Sequence, residues 1–212
     1  MPELGLFPLP LVLVPTERIP LHIFEPRYKE LIGECLELDG EFGLVLATGD
    51  GAVHEIGTRA HVLEVLDELD DGSLTVVVEG GERFRLLELT SGRSFATGIV
   101  EAVEDDPEPP APEQVERVLA RFRELAEVTG SEVDVPAPDA EQLDFQLAAR
   151  IDFGAEAKQE LLATTSPRRR LARLLELLGQ ALEAVRLERI LHERAGGNGK
   201  VAPLDPERGD QS

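Results

Sequence analysis

The feature that most constrains this chain is a change of hydrophobic period across EDDPEPPAPE, residues 104–113. Before it, apolar residues come in short β-type runs. After it, they recur every three or four positions. The segment itself is proline-rich and acidic, which excludes a strand or a helix interior. The expected organisation is a β-rich subdomain over 1–103, a linker over 104–113 and a helical subdomain over 114–195. The Gly-, Pro- and charge-rich tail, 196–212, is expected to be disordered.

In the first part, Leu11 to Val14 and Ile19 to Phe24 read as the opening strands. Phe42 to Ala47 reads as a buried strand. Ala60 to Leu69 and Leu74 to Glu79 flank Asp70-Asp71-Gly72-Ser73, a hairpin turn signal. Gly80-Gly81 predicts a bulge or sharp bend before Phe84 to Leu89. Phe95 to Val103 closes the series. Short strands at this spacing predict a curled sheet or small barrel.

In the second part, Val115, Val118, Leu119, Phe122, Leu125 and Ala126 form one helical face. Residues 129–139 break the pattern. Two further helices are expected over Ala140 to Ile151 and Ala155 to Ala163, parted near Asp152-Phe153-Gly154. Ser166 as N-cap and Pro167 at the first turn open a last helix running to about Arg194. Leu171, Leu175, Leu178, Leu182 and Val185 give it the stripe of a helix packed on a helix.

The stretch PLHIFEPRYKELIGEC, residues 20–35, holds a histidine, a glutamate, an arginine and a tyrosine within seven positions. Two readings compete: an acid-base cluster, or a strand-to-helix joint. Glu25 precedes a proline and is biased to extended backbone. Pro26 suits the first turn of a helix, on which Tyr28, Leu31, Ile32, Cys35 and Leu36 make one apolar face. Glu25 would sit at that helix's N-terminus, where a carboxylate is stabilised by about 0.3–1 kcal/mol. No serine or cysteine nucleophile has a place beside His22 and Glu25, so the joint is preferred. Cys35 falls on the apolar face as a small hydrophobe.

The run LFPLPLVLVP…PLHIFEPRY resembles the opening of the LON substrate-binding domain, the N-terminal domain of Lon proteases. FGLVLA, IGTRAHVLEV (56–65) and VVVEGGERFRLLEL (76–89) follow in the family's order, and AKQELLATTSPRRRLARLLELL (157–178) resembles its closing segment. The resemblance covers residues 4 to about 190. It implies an α+β fold: a β-rich pseudo-barrel with one embedded helix, then a helical bundle ending in a long helix. It also implies a role in recognising protein substrates. His22, Phe24, Glu25, Pro26, Arg27 and Tyr28 are its motif residues, read as structural.

Lon proteases continue into an ATPase and a Ser-Lys protease module, and neither pattern fits here. RAGGNGKV, 194–201, has Arg194 and Val201 where a phosphate loop needs Gly and Ser or Thr. The lysines are Lys29, Lys158 and Lys200, and none neighbours a serine in the family's catalytic motif. Intrinsic proteolysis and nucleotide binding are therefore not expected. One cysteine excludes an intrachain disulfide and a multi-cysteine zinc site. His54, His61 and His192 lack ligand spacing, so no metal or other cofactor is expected.

Net charge is -21, which argues against nucleic acid and anionic lipid as partners. No basic n-region, cleavage site or long apolar run is present, and the expected compartment is the cytoplasm. The favoured function is a stand-alone, non-catalytic module that binds unfolded or specific proteins without ATP, with Phe7, Leu9 and Phe24 as candidate apolar contacts. A second reading is an adaptor docking, or self-associating, through the last helix, which carries seven arginines and four glutamates between 167 and 194 and opens on Arg168-Arg169-Arg170. A third is a small-molecule binder or an enzyme of unknown type using His22, Glu25, Arg27 and Tyr28.

Overall fold

The computed structural model describes residues 3–49 and 51–197, with side chains to 192. From 198 on, the tail expected to be disordered lies outside the described residues; Gly196 and Gly197 belong to the last helix. The elements are β1 (Glu3–Leu9), β2 (Arg18–Ile23), α1 (Pro26–Leu38), β3 (Phe42–Leu46), β4 (Ile56–Glu68), β5 (Leu74–Thr90), β6 (Thr97–Ala102), α2 (Pro112–Thr129), α3 (Leu143–Ala148), α4 (Ala155–Ala163) and α5 (Pro167–Gly197).

The sheet order is β2-β5-β4-β3-β1-β6, and β5 also pairs with β6. The ring β5-β4-β3-β1-β6 therefore closes on itself, with β2 attached outside it. Closure leaves few open edges. The chain is thus the expected α+β pseudo-barrel with an embedded helix, followed by a helical bundle.

β5 makes closure possible. It is one strand of 17 residues rather than two. Its first half pairs with β2 and its second half with β6, while β4 runs beside both. The turn between them is Gly80-Gly81: two residues, Gly81 and Glu82, stand opposite the single Arg59. Such a bulge bends the strand and increases its twist. Gly80 has a second reason to lack a side chain. A Cβ there would lie 2.2 Å from the Val14 carbonyl oxygen.

That contact corrects the expected first strand. Val12 to Val14 are buried and Leu11 partly so, but the segment belongs to no strand; β1 lies earlier, at Glu3–Leu9. Its parallel partner is β3, with Pro8 opposite Val45 near the ladder's end, where a missing N–H costs least. The Leu11–Val14 backbone is held instead by single bonds. Thr58 Oγ1 donates to the Leu13 carbonyl (2.5 Å), and Val14 N donates to Glu17 Oε2 (3.0 Å).

The helices follow the apolar periodicity with one exception. α2 buries Val118, Leu119, Phe122 and Leu125. α5 buries Leu171, Leu174, Leu177, Leu178 and Leu182. Ser166 Oγ accepts from Arg169 N at 3.4 Å at its start. The exception is the helix expected over Ala140 to Ile151, which shrinks to α3. Gln142 takes a left-handed conformation (φ 52°) just before it, which no helix interior accommodates.

The two parts share a core. Val12, Val14, Leu46 and Ile56 from the β side pack in one cluster with α2, α3, α4 and α5. Polar ties reinforce the junction. Lys158 of α4 pairs with the buried Glu17, and Gln159 Nε2 donates to the Ile56 carbonyl (3.0 Å).

A buried ionic knot crosses the same junction. Arg170 of α5 is only 1% exposed. Its Nε donates to Asp144 Oδ2 (2.6 Å), and its Nη1 donates to Asp105 Oδ1 (2.6 Å) and the Thr164 carbonyl (2.7 Å). Its second terminal nitrogen donates to Asp105 Oδ2. Arg83 of β5 donates to the same Asp105 and to the carbonyls of Leu162 (2.8 Å) and Thr164 (3.0 Å). Phe145 lies under both guanidinium groups, at 4.4 and 5.4 Å. Burial pushes the Asp144 carboxyl up against the opposing pull of Arg170.

Removing one member of this knot leaves an uncompensated buried charge. Arg170→Ala is expected to lower stability by about 3–5 kcal/mol in urea denaturation. Arg168→Ala, whose half-exposed side chain pairs with Glu108, is expected to change it by less than about 1 kcal/mol.

Candidate protein-binding site

The PLHIFEPRY stretch is the joint between β2 and α1. Glu25 is extended (φ -71°, ψ 133°) and Pro26 opens the helix. Its carbonyl accepts from Tyr28 N and Lys29 N, both at 3.0 Å. The side chains do not converge on one point. His22 Nδ1 meets Thr75 Oγ1 at 3.2 Å across the β2–β5 ladder. Glu25 takes Arg27 at 2.8 Å. Arg27 lies 4.4 Å over the Tyr28 ring, and Tyr28 packs against Phe7 with centroids 4.0 Å apart. Burial raises the Tyr28 pKa. Each polar group thus has its own local partner.

Phe24 differs from its neighbours. It is 62% exposed, although its position in the apolar run suggests a core residue. It follows Ile23, which pairs with Leu74 of β5. On the other side of β5, Leu74 pairs with Glu68, and Leu69 follows. Phe24 and Leu69 therefore stand at the same level, at the outer end of a three-stranded ribbon.

Leu63, Val65, Leu66 and Leu69 on this ribbon are also exposed. The cause lies in the register. Val62 pairs with Val78 and Glu64 with Val77, so Leu63 is an extra residue; Leu66 is likewise extra between the Val65–Val76 and Asp67–Thr75 pairs. Each bulge resets the in-out alternation and turns a leucine to solvent. Sequence reasoning missed this patch. Its signal was present in HVLEVLDEL, where the doublets Val62-Leu63 and Val65-Leu66 break the period of two.

The other candidates are placed as follows. Phe7 is buried and Leu9 half-buried, so Phe7 offers no docking surface; it is a core ring between Tyr28 and Phe42. Of the arginine trio, Arg168 and Arg169 are exposed, but Arg170 is the centre of the ionic knot and is unavailable to a partner. His61 faces Glu79 at 3.3 Å. His54 and Gln159 help line a cavity of about 700 Å³ between the barrel and α4. His22, Glu25, Arg27 and Tyr28 do not line it. A second stripe, Leu187, Ile190 and Leu191, is exposed on the last turns of α5.

This arrangement has relatives. The family model of the ATP-dependent protease La (LON) substrate-binding domain matches residues 3–180. The chain belongs to that family. The Lon N-terminal domain protein from Xanthomonas campestris is 28% identical, with a TM-score of 0.67 over 83% of this chain and 98% of that one. The N-terminal domain of the Mycobacterium avium complex Lon protease, 17% identical, shares the fold with a TM-score of 0.64. Among curated proteins, Lon protease 1 of Hydrogenovibrio crunogenus is 26% identical over 95% of this chain and 28% of its own length. The Lon protease of Parabacteroides distasonis is 27% identical over 84% and 24%. The chain thus spans about a quarter of the length of these relatives.

Within the LON substrate-binding fold, Cys35 sits on the buried face of α1, and burial pushes its thiol up to about 11. At pH 8 the thiolate fraction is then on the order of one in a thousand. Labelling by a thiol reagent is expected to be at least tenfold slower in the native protein than in urea. Equal rates would show that α1 does not cover it.

Proposed function

We propose that this chain is a non-catalytic protein-recognition module that binds unfolded or extended segments of other proteins without ATP. The observation that carries this reading is the match of residues 3–180 to a substrate-binding domain family. The ribbon supports it, because it gathers Leu63, Val65, Leu66 and Leu69 as exposed large apolar residues within one hairpin arm. No described helix is long and apolar enough to cross a membrane, and the reading places the module in the cytoplasm.

Retention of a chemically unfolded protein on the immobilised module, with its folded form as control and no nucleotide, tests the proposal. Selective retention of the unfolded form, unchanged by ATP, is expected. Equal retention of both forms, or of neither, overturns it. Phe24→Ser combined with Leu66→Ser removes two exposed contacts and is expected to weaken binding about tenfold or more, with the fold intact.

A second reading has its own observation. Leu187, Ile190 and Leu191 lie bare on the last turns of α5 at helical spacing. A second copy could cover this stripe. Leu187→Glu with Ile190→Glu is then expected to convert a dimer to a monomer in sedimentation. A wild-type monomer at all concentrations would remove the reading.

A further inference from the structure

The charge around the apolar ribbon narrows what it can hold. Leu63, Val65, Leu66 and Leu69 are interleaved with Glu64, Asp67, Glu68 and Asp70, and Asp71 follows in the turn. All five acids are exposed. Glu64, Asp67, Glu68 and Asp70 make no ion pair among the described residues. Lys29 of α1 reaches the turn, where its Nζ donates to the Asp71 carbonyl (2.8 Å). Near the ribbon's base, Arg18 pairs with Glu79, which His61 also faces. The ribbon is thus a strip of apolar side chains among exposed acids, four of which have no ion-pair partner among the described residues.

We propose that this ribbon, with Phe24 at its end, selects extended protein segments that combine large apolar residues with lysine or arginine. This rests on the protein-recognition reading above and names the substrate class for it. Apolar side chains of the segment would cover Phe24, Leu66 and Leu69, while its cations would neutralise Glu64, Asp67 and Glu68. The ribbon of a second copy is a poor occupant, since its own exposed acids would face these ones. The edge geometry points the same way. Beyond Ala60, β4 pairs with β5 alone among the described residues, but the two bulges interrupt a regular ladder. Bulges and charges on an edge discourage uninterrupted strand addition. Side-chain capture over the leucines, with charge as the filter, therefore fits better than backbone pairing along the edge.

The test uses two fluorescent peptides with the same leucines and phenylalanines, one carrying lysines and the other glutamates at the intervening positions. Binding to the full chain is followed by anisotropy at low and high salt. The lysine peptide is expected to bind at least tenfold tighter, with the advantage shrinking at high salt. The triple variant Glu64→Lys, Asp67→Lys, Glu68→Lys alters only exposed side chains, and circular dichroism checks its fold. It is expected to reverse the preference. Phe24→Ser with Leu66→Ser is expected to weaken the lysine peptide about tenfold or more. Equal binding of both peptides, or a preference that survives the charge reversal, overturns the proposal. If unfolded protein is still retained in that case, the recognition reading stands without this specificity. If neither peptide nor unfolded protein binds, both fall.

Discussion

The structure depends on two buried guanidinium groups that share one carboxylate. Arg83 comes from the barrel, Arg170 from the last helix, and Asp105 from the segment between the two parts. Asp144 completes the charge balance, and the carbonyls of Leu162 and Thr164 take remaining donors. Charges this deep are costly unless paired and fully hydrogen-bonded. Here they are satisfied only when barrel, connecting segment, α3 and α5 are in register together. The knot therefore specifies how the helices seat on the barrel, more than it adds net stability.

It also changes the meaning of the proline-rich acidic segment. Its composition alone describes a solvated spacer, yet its second acid is clamped between two arginines, and Asp106 N donates to the Thr165 carbonyl (2.9 Å). Together with the shared apolar cluster and the Lys158–Glu17 pair, this binds the halves through one continuous interior. The β4–β5 ribbon is continuous with this barrel, and its two bulges leave the leucines of β4 exposed. Its other side packs toward α1 through Val62 and Leu74, and Lys29 ties the turn to that helix.

Much of the secondary structure was legible. The Asp70–Ser73 hairpin, the bulge at Gly80-Gly81, the joint at Glu25-Pro26 and the faces of α2 and α5 follow from local chemistry: turn residues, proline geometry and period. The misses have physical causes. β1 was overlooked because Pro8 and Pro10 mask a strand whose ladder needs few N–H donors near that end. Leu11–Val14 looked like a strand because it is apolar, but it is a strap bonded to Thr58 and Glu17. Of the candidate contacts, Phe7 turned inward and Phe24 outward, though both sit in apolar runs. Neighbouring strands, not the residue type, decide which face is covered.

The sequence by itself determined the fold class, the order of most elements and the family, because periodicity and proline-glycine punctuation are local and survive without knowledge of contacts. It also determined that the chain is strongly acidic, with a net charge of -21. Only the tertiary structure decided that Arg170 is a buried clamp while Arg168 and Arg169 face water, since three adjacent arginines differ only in the helix angle at which they meet Asp105 and Asp144. Only it decided that Leu63 and Leu66 are exposed, because a bulge is a property of two strands in register.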